Sequence, residues 1–249
     1  AVLPDPDGKR VGSGGATLNV LRYIHQDAGS FDDKRILVIH SGGDSKRVPQ
    51  YSACGKLFSP VPRLLPNGRR STLFDEFMIS MCGVAARIRA GMLVCSGDVL
   101  LLFNPLQIDF YGSGAAALSI KEPAEIGKNH GVYRVDEQGN VGGFLHKKTV
   151  DQLHALQAAD ENGNVDIDTG AVIMDTDLLK ALYKLVDTPE QFDAYVNENT
   201  RLSFMQTFYI RWHPSPRWSS IIRKHRKVIL RQSFMSAARN FGRCFIHFI

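Results

Sequence analysis

ILVIHSGGDSKRVPQYSACGKLFSPVP, residues 36–62, decides the fold. Ile36 to Ile39 form a continuous apolar run, as a strand buried on both faces requires. Gly42 and Gly43 follow at once, then Ser45, Lys46 and Arg47, and later a second Gly-Lys pair, Gly55 and Lys56. A buried strand that runs into a glycine turn set with cations is how α/β sheets hold anions outside the carboxyl ends of their strands. Glycine lets backbone N–H groups approach an anion with no Cβ in the way. Arg47 can fork onto phosphate oxygens, Lys56 adds a point charge, and Pro49 and Pro60 stiffen the path. Gly-Gly alone would suit an ordinary tight turn; the cations and prolines favour phosphate. The loop is not a Walker motif, because Gln50 stands where glycine is needed and Leu57 where Ser or Thr is needed.

Outward from this stretch the chain alternates strand and helix. The spacing predicts helices over 16–26, 72–88 and 176–186, and strands over 92–98, 115–120 and 168–175. HGVYRVDEQGNVGGFLHK, residues 130–147, alternates around a DEQGN turn and predicts a hairpin. This order gives an α/β domain with a mostly parallel, Rossmann-like sheet and flanking helices. The strand-end rule then selects the segments after Ile39 and after Cys95 as a small-molecule site. Asp98, which closes MLVCSGD, is a carboxylate at that sheet mouth that could hold a Mg²⁺ bridging phosphates, or else cap a turn. GSGGATLNVL, residues 12–21, reads as a second Gly-rich loop opening a helix, with Gly14 and Gly15 able to approach a nucleotide. It is not a dinucleotide fingerprint, since Thr17 stands at the last glycine position. It is faintly similar to the phosphate loop of small-metabolite kinases, but the further Gly-rich motifs of that class are not found.

Composition narrows the classes. No apolar run approaches the roughly 20 residues of a membrane span. The N-terminal AVLPDPDGKRVGSGG has no apolar h-region or cleavage pattern, so no secretion is expected. Cys54, Cys82, Cys95 and Cys244 show no metal spacing, and reduced thiols of a cytoplasmic protein are expected. The net charge of +5 misleads, because Arg201 and the residues after it hold ten Lys and Arg and no acid. The first 200 positions hold 20 basic against 25 acidic residues, and the basic tail lacks helical or strand periodicity, so nucleic-acid binding is not expected. Neither motif nor patterning bears on oligomeric state.

GGDSKRVP followed by GKLFSPVP resembles the GGxGTRL…PK signature of sugar-nucleotide pyrophosphorylases, with Arg47 at the Arg and Lys56 at the Lys. VGSGGATL, ILVIHSGGDSKRVP, LVCSGD, HGVY and FLHK, in this order, resemble more closely the fucose-1-phosphate guanylyltransferase (GDP-fucose pyrophosphorylase) family. That family includes the N-terminal half of bifunctional fucokinase/GDP-fucose pyrophosphorylases. The resemblance covers about Val11 to Phe204, with Lys46 in place of the signature Thr and Gly55 in place of the Pro of PK. It implies a Mg-dependent nucleotidyltransferase that takes GTP and fucose 1-phosphate. By the same resemblance Gly42, Gly43 and Ser45 approach the phosphates, Arg47 and Lys56 neutralise them, Asp98 holds the metal and Lys147 meets the sugar phosphate. A second metal carboxylate is implied at Asp193, in QFDAY, with Asp168 as its rival.

After RLSF the family would continue with a Tyr-x-Asp-Phe-Leu segment, whereas this chain reads MQTFYIRWHPSPRW. The frame that starts at the third base of the Phe204 codon can spell YADFLYPLASESTLEQYY by codon degeneracy. Residues 1–203 are therefore expected to be an incomplete nucleotidyltransferase domain, its C-terminal part missing, and residues 204–249 a frameshifted, non-native tail. The gene is expected to show that acidic reading in the neighbouring frame, and sequencing across codon 204 checks it; stop codons there would end the idea.

Overall fold

The computed structural model describes residues 1–41, 49–51, 55–105, 114–137, 139–204 and 246–248. Gly42, Gly43, Ser45 and Arg47 lie outside the described residues, as does the tail from 205 to 245. The order of main elements is α1 (Gly12–Ala28), β1 (Arg35–His40), β2 (Pro60–Leu64), β3 (Arg70–Thr72), α2 (Leu73–Ala85), β4 (Gly91–Ser96), β5 (Ala115–Pro123) and α3 (Ala124–Gly127). They are followed by β6 (Gly131–Val135), β7 (Val141–His146), α4 (Val150–Ala155), β8 (Asn164–Met174), α5 (Thr176–Tyr183), α6 (Pro189–Tyr195) and β9 (Ile246–Phe248). Among the described residues, no helix is long and apolar enough to cross a membrane.

The main sheet runs β1-β4-β8-β5-β9, and a hairpin of β6 and β7 joins it along β8. β1 pairs parallel with β4, and β5 parallel with β9. β8 lies antiparallel to both β4 and β5, so β1, β4, β5 and β9 point one way with β8 reversed among them. Four strands of this path thus run parallel in direction, and β8, reversed between β4 and β5, makes the sheet a mixed one.

Alternation along the strands splits the core in two. Met92 and Val94 of β4, with Val172 and Met174 of β8, face α1 and α5 through Leu18, Leu21, Leu178 and Leu182. Leu93 and Cys95, with Ala171 and Ile173, face α2 through Phe77, Met81 and Val84. Each buried Leu or Phe of this kind contributes about 1.5–3 kcal/mol. A third cluster around Val132, Leu145, Leu153 and Val165 seats the hairpin on α3 and α4. The helices start where sequence caps dictate: Thr72 and Asp75 form a reciprocal capping box on α2, and the Asp175 side chain accepts from the Leu178 N–H on α5.

The stretch 12–15, expected as a loop, is instead the first turn of α1. The backbone of 201–202 passes so close that a Cβ on Gly12 would stand 2.4 Å from the Leu202 carbonyl oxygen. Gly14 and Gly15 are buried in this packing, and the Gly14 N–H donates to the Leu202 carbonyl at 2.7 Å. These glycines admit a crossing chain. Gly91 sets a similar limit at the start of β4, with φ +138° and a hypothetical Cβ 2.2 Å from the Met174 carbonyl oxygen. Gly91→Ala is expected to destabilise the fold by roughly 2–3 kcal/mol, since both the backbone conformation and the space exclude a side chain. Denaturant unfolding against the parent chain measures this.

Candidate active site

The carboxyl ends of β1 and β4 meet at Gly97. Its N–H donates to the His40 carbonyl at 2.9 Å, and a Cβ there would lie 2.9 Å from that same oxygen. Only glycine lets the two strand ends close together, and this brings Asp98 to the mouth of the sheet. The Ser96 hydroxyl donates to Asp98 Oδ1 at 2.8 Å, and Lys56 Nζ approaches Asp98 Oδ2 at 3.2 Å. Burial pushes the Asp98 pKa up, but the Ser96 hydroxyl and the Lys56 ammonium more than offset it, and the net effect is downward. Lys56 and Asp98, 42 positions apart in sequence, are therefore in direct contact at the strand ends.

The pair is 35% and 48% exposed in its two side chains. Ion pairs this wet contribute about 0–1 kcal/mol. The contact is weak enough to open for an arriving anion, which would take Lys56 and release the carboxylate.

His40, at the end of β1, is largely buried, with Nε2 2.9 Å from Thr17 Oγ1 of α1. That hydroxyl donates to the Ser13 carbonyl, so His40 Nε2 carries the hydrogen. Burial holds the His40 pKa below its usual value and keeps the ring neutral.

A second group of residues adjoins the first through a bulge in β8. Leu118 pairs with Ala171 and Ser119 with Asp168, leaving Thr169 and Gly170 as extra residues. The Thr169 hydroxyl donates to the Leu118 carbonyl at 2.6 Å, and Gly170 turns with φ +73° against Ser96, whose Cβ would stand 2.9 Å from a Cβ at 170. The bulge turns Asp168 so that its Oδ1 accepts from both the Gly170 N–H and the Tyr133 hydroxyl, each at 2.8 Å. Tyr133 is fully buried. Burial raises the Asp168 pKa; those two donors and the nearby His146 offset only part of it.

Asp168 in turn borders the hairpin. A Cβ on Gly131 would lie 3.4 Å from the Asp168 Cβ, and Gly131 is the register partner of His146. Lys147 follows His146 with φ +49°, an uncommon conformation for a lysine, held by its N–H on the His130 carbonyl at 3.0 Å. Its side chain is exposed. Contacts thus join Lys56, Asp98 and Ser96, and Gly170 sets the bulge that carries Asp168 against Ser96; among the described residues no contact links Lys147 to them. Asp193 is exposed on α6, where Phe192 packs under Arg22 of α1. No contact joins Asp193 to Asp98 among the described residues. Ser96, Tyr133 and the bulge were missed in the sequence; the spacing S-G-D in 96–98 was the one local signal for Ser96.

The fucose pyrophosphorylase domain family matches residues 28–213. The chain belongs to this family. It is 32% identical over 205 residues to the bifunctional fucokinase/GDP-fucose pyrophosphorylase of Arabidopsis thaliana, covering 68% of this chain and 19% of that protein. It is 31% identical over 172 residues to the fucose-1-phosphate guanylyltransferase of Mus musculus, covering 63% and 28%. The Homo sapiens protein of the same name is 29% identical over 181 residues, covering 66% and 29%. The chain therefore spans between about a fifth and three-tenths of the length of these relatives.

The upward shift of Asp168 has a thermodynamic signature. A carboxylate whose folded pKa exceeds its unfolded one costs stability above the folded pKa, and the cost fades as pH falls through it. Asp168→Asn keeps the Oδ1 acceptor, so its melting temperature is expected to exceed the parent's at pH 7 and to converge with it near pH 4. Thermal scans across that range test this.

Proposed function

We propose that this chain is a nucleotidyltransferase core that joins GTP and fucose 1-phosphate, giving GDP-fucose and pyrophosphate. The observation that carries this reading is the Lys56–Asp98 pair at the strand ends of a fucose pyrophosphorylase domain. Guanine and fucose enter from the relatives' names.

The chemistry asks little beyond position and charge. A phosphate oxygen of the sugar 1-phosphate attacks the α-phosphorus of the triphosphate, the α–β bridging P–O bond breaks, and pyrophosphate departs with its electron pair. The nucleophile is anionic at neutral pH, so no strong base is needed. What must be overcome is repulsion between two polyanions in one cleft. Lys56 neutralises triphosphate oxygens once it leaves Asp98, and Lys147 meets the sugar phosphate from the hairpin side. Gly42, Gly43, Ser45 and Arg47 line the phosphates in this reading. Gly14 and Gly15 contribute by packing α1 rather than by touching the nucleotide.

A divalent cation belongs to the proposal. Mg²⁺ takes one or two carboxylates and completes its shell with phosphate and water, and the half-exposed Asp98 fits that demand. Bound there, it would supply charge neutralisation on the phosphates. Asp193 enters only if α6 approaches the site.

A second reading has support from the Arabidopsis relative's name, which includes fucokinase. In that reading the chain is a piece of a bifunctional enzyme, or a nucleotide-binding remnant without turnover. Pyrophosphate release with GTP and fucose 1-phosphate, compared with ATP, CTP and UTP, tests the first reading; phosphorylation of free fucose by ATP would favour the kinase. Lys56→Ala and Asp98→Asn are each expected to lower kcat/KM by roughly 10²–10³-fold. Undiminished turnover in both would sink the assignment.

A further inference from the structure

We infer that His40 is a positioning residue for Asp98: its ring ties the end of β1 to α1, and that tie fixes the carbonyl from which the Gly97–Asp98 turn hangs. Its part in the reaction rests on the nucleotidyltransferase reading above and deepens it.

Topology creates the need for a tie. Among the described residues β1 stands at the edge of the sheet, with β4 as its one strand partner and Leu37 open to solvent. His40, its last residue, is the register partner of Ser96, and the His40 carbonyl accepts from the Gly97 N–H at 2.9 Å. Asp98 follows at once, with Lys56 on its Oδ2. A strand end paired on one side only opens at low cost, and opening here would carry Gly97 and Asp98 with it.

The imidazole supplies the second anchor. Nε2 donates to Thr17 Oγ1 at 2.9 Å, and the Thr17 hydroxyl, fully buried, donates to the Ser13 carbonyl at 2.9 Å. This turn of α1 is itself held from the far side. The Gly14 N–H donates to the Leu202 carbonyl at 2.7 Å, and the Phe204 N–H donates to the Ser13 hydroxyl at 3.0 Å. His40 therefore grips a helix turn that is fixed independently of the sheet. Breaking the bond from either end leaves a buried polar atom without its partner.

Other roles fit less well. Packing alone would be met by a phenyl ring at 40 and a valine at 17, without burying two polar groups. Proton transfer is not called for, since the nucleophile is already anionic. The hydrogen bond is what this histidine and this threonine add.

The test compares the parent chain with His40→Phe, Thr17→Val and His40→Gln, by hydrogen exchange at the Gly97 amide and by steady-state kinetics. Phe and Val keep volume and lose the bond, whereas the Gln amide can stand where the imidazole Nε2 stood. His40→Phe and Thr17→Val are each expected to speed exchange at Gly97 roughly tenfold, with Met92 to Val94 changed less than about twofold. In both, kcat should fall roughly tenfold and the Mg²⁺ concentration for half-maximal rate should rise, with KM for fucose 1-phosphate held within about twofold. His40→Gln should restore most of the loss, and the double variant should add less than about twofold to either single one, because both remove the same bond. Melting curves identify a variant that fails to fold; Thr17→Val, which leaves His40 in place, then decides. Unchanged Gly97 exchange in folded variants overturns the inference. Faster exchange with undiminished kcat also overturns it, provided Asp98→Asn lowers kcat. Where Asp98→Asn has no effect, or the parent releases no pyrophosphate, the reaction assignment falls, and faster Gly97 exchange leaves the tie to Asp98 standing.

Discussion

One reversed strand holds this domain together. β8 lies between β4 and β5, pairing with each by antiparallel hydrogen bonds, while its first half also takes β6 along its edge. Every apolar layer borrows from it: Val172 and Met174 for one face, Ala171 and Ile173 for the other, Val165 and Ile167 for the hairpin cluster. Side chains alternate with period two along a strand, so a slip of one residue would exchange the two faces. The bulge at Thr169 and Gly170 absorbs that constraint locally. It lets the outer half of β8 follow β5 and β6 and the inner half follow β4 without losing the core pattern of either.

The site inherits its geometry from this arrangement. Strand ends closed by Gly97 deliver Asp98, and the bulge sets the segment of Asp168 against Ser96. None of these groups is held by a strong interaction with another. The Lys56–Asp98 contact is solvated and weak, so in the proposed function Lys56 could exchange it for a phosphate at little cost. Rigidity is supplied by the backbone underneath, through glycines placed where two chains touch and through the buried Tyr133. Cys95, in the same strand as Ser96, has its thiol pushed by burial to about 12, so it serves as a small apolar residue rather than a nucleophile.

Much of the framework was legible in the sequence, and for identifiable reasons. The runs at 36–39 and 92–98 read as strands because they are continuous and apolar, although β1 is an edge strand among the described residues and leaves Leu37 exposed rather than buried on both faces. The rule that ligands collect at strand ends led directly to Lys56 and Asp98. The hairpin was marked by its alternation and turn. The strand at 168–175 was recognised but started too late, because VDID alternates with acids and does not look buried; Asp166 is taken up by Lys121 and Ser119. β2, with prolines at 60 and 62, gave no strand signal, and α3 and α4 are too short for periodicity to show. Gly12 to Gly15 looked like a phosphate loop because glycine serves equally for close approach of an anion and of another backbone. The proximity of Asp168 to Ser96 was invisible, since it is made by a bulge between segments far apart in the chain.

The late position of β8 in the chain also sets an order of assembly. β4 and β5 are synthesised well before the strand that lies between them, so each must wait with an open edge for a partner supplied much later. Pairing of this kind has high contact order and forms slowly, and bare edges in the interval invite pairing with other molecules. The strand ends of β1 and β4 and the β6–β7 hairpin are joined only once Asn164 to Met174 has threaded into the gap. A ribosome-bound chain that has not yet released this segment therefore has the ends of β1 and β4 but not the bulged strand that ties them to the hairpin.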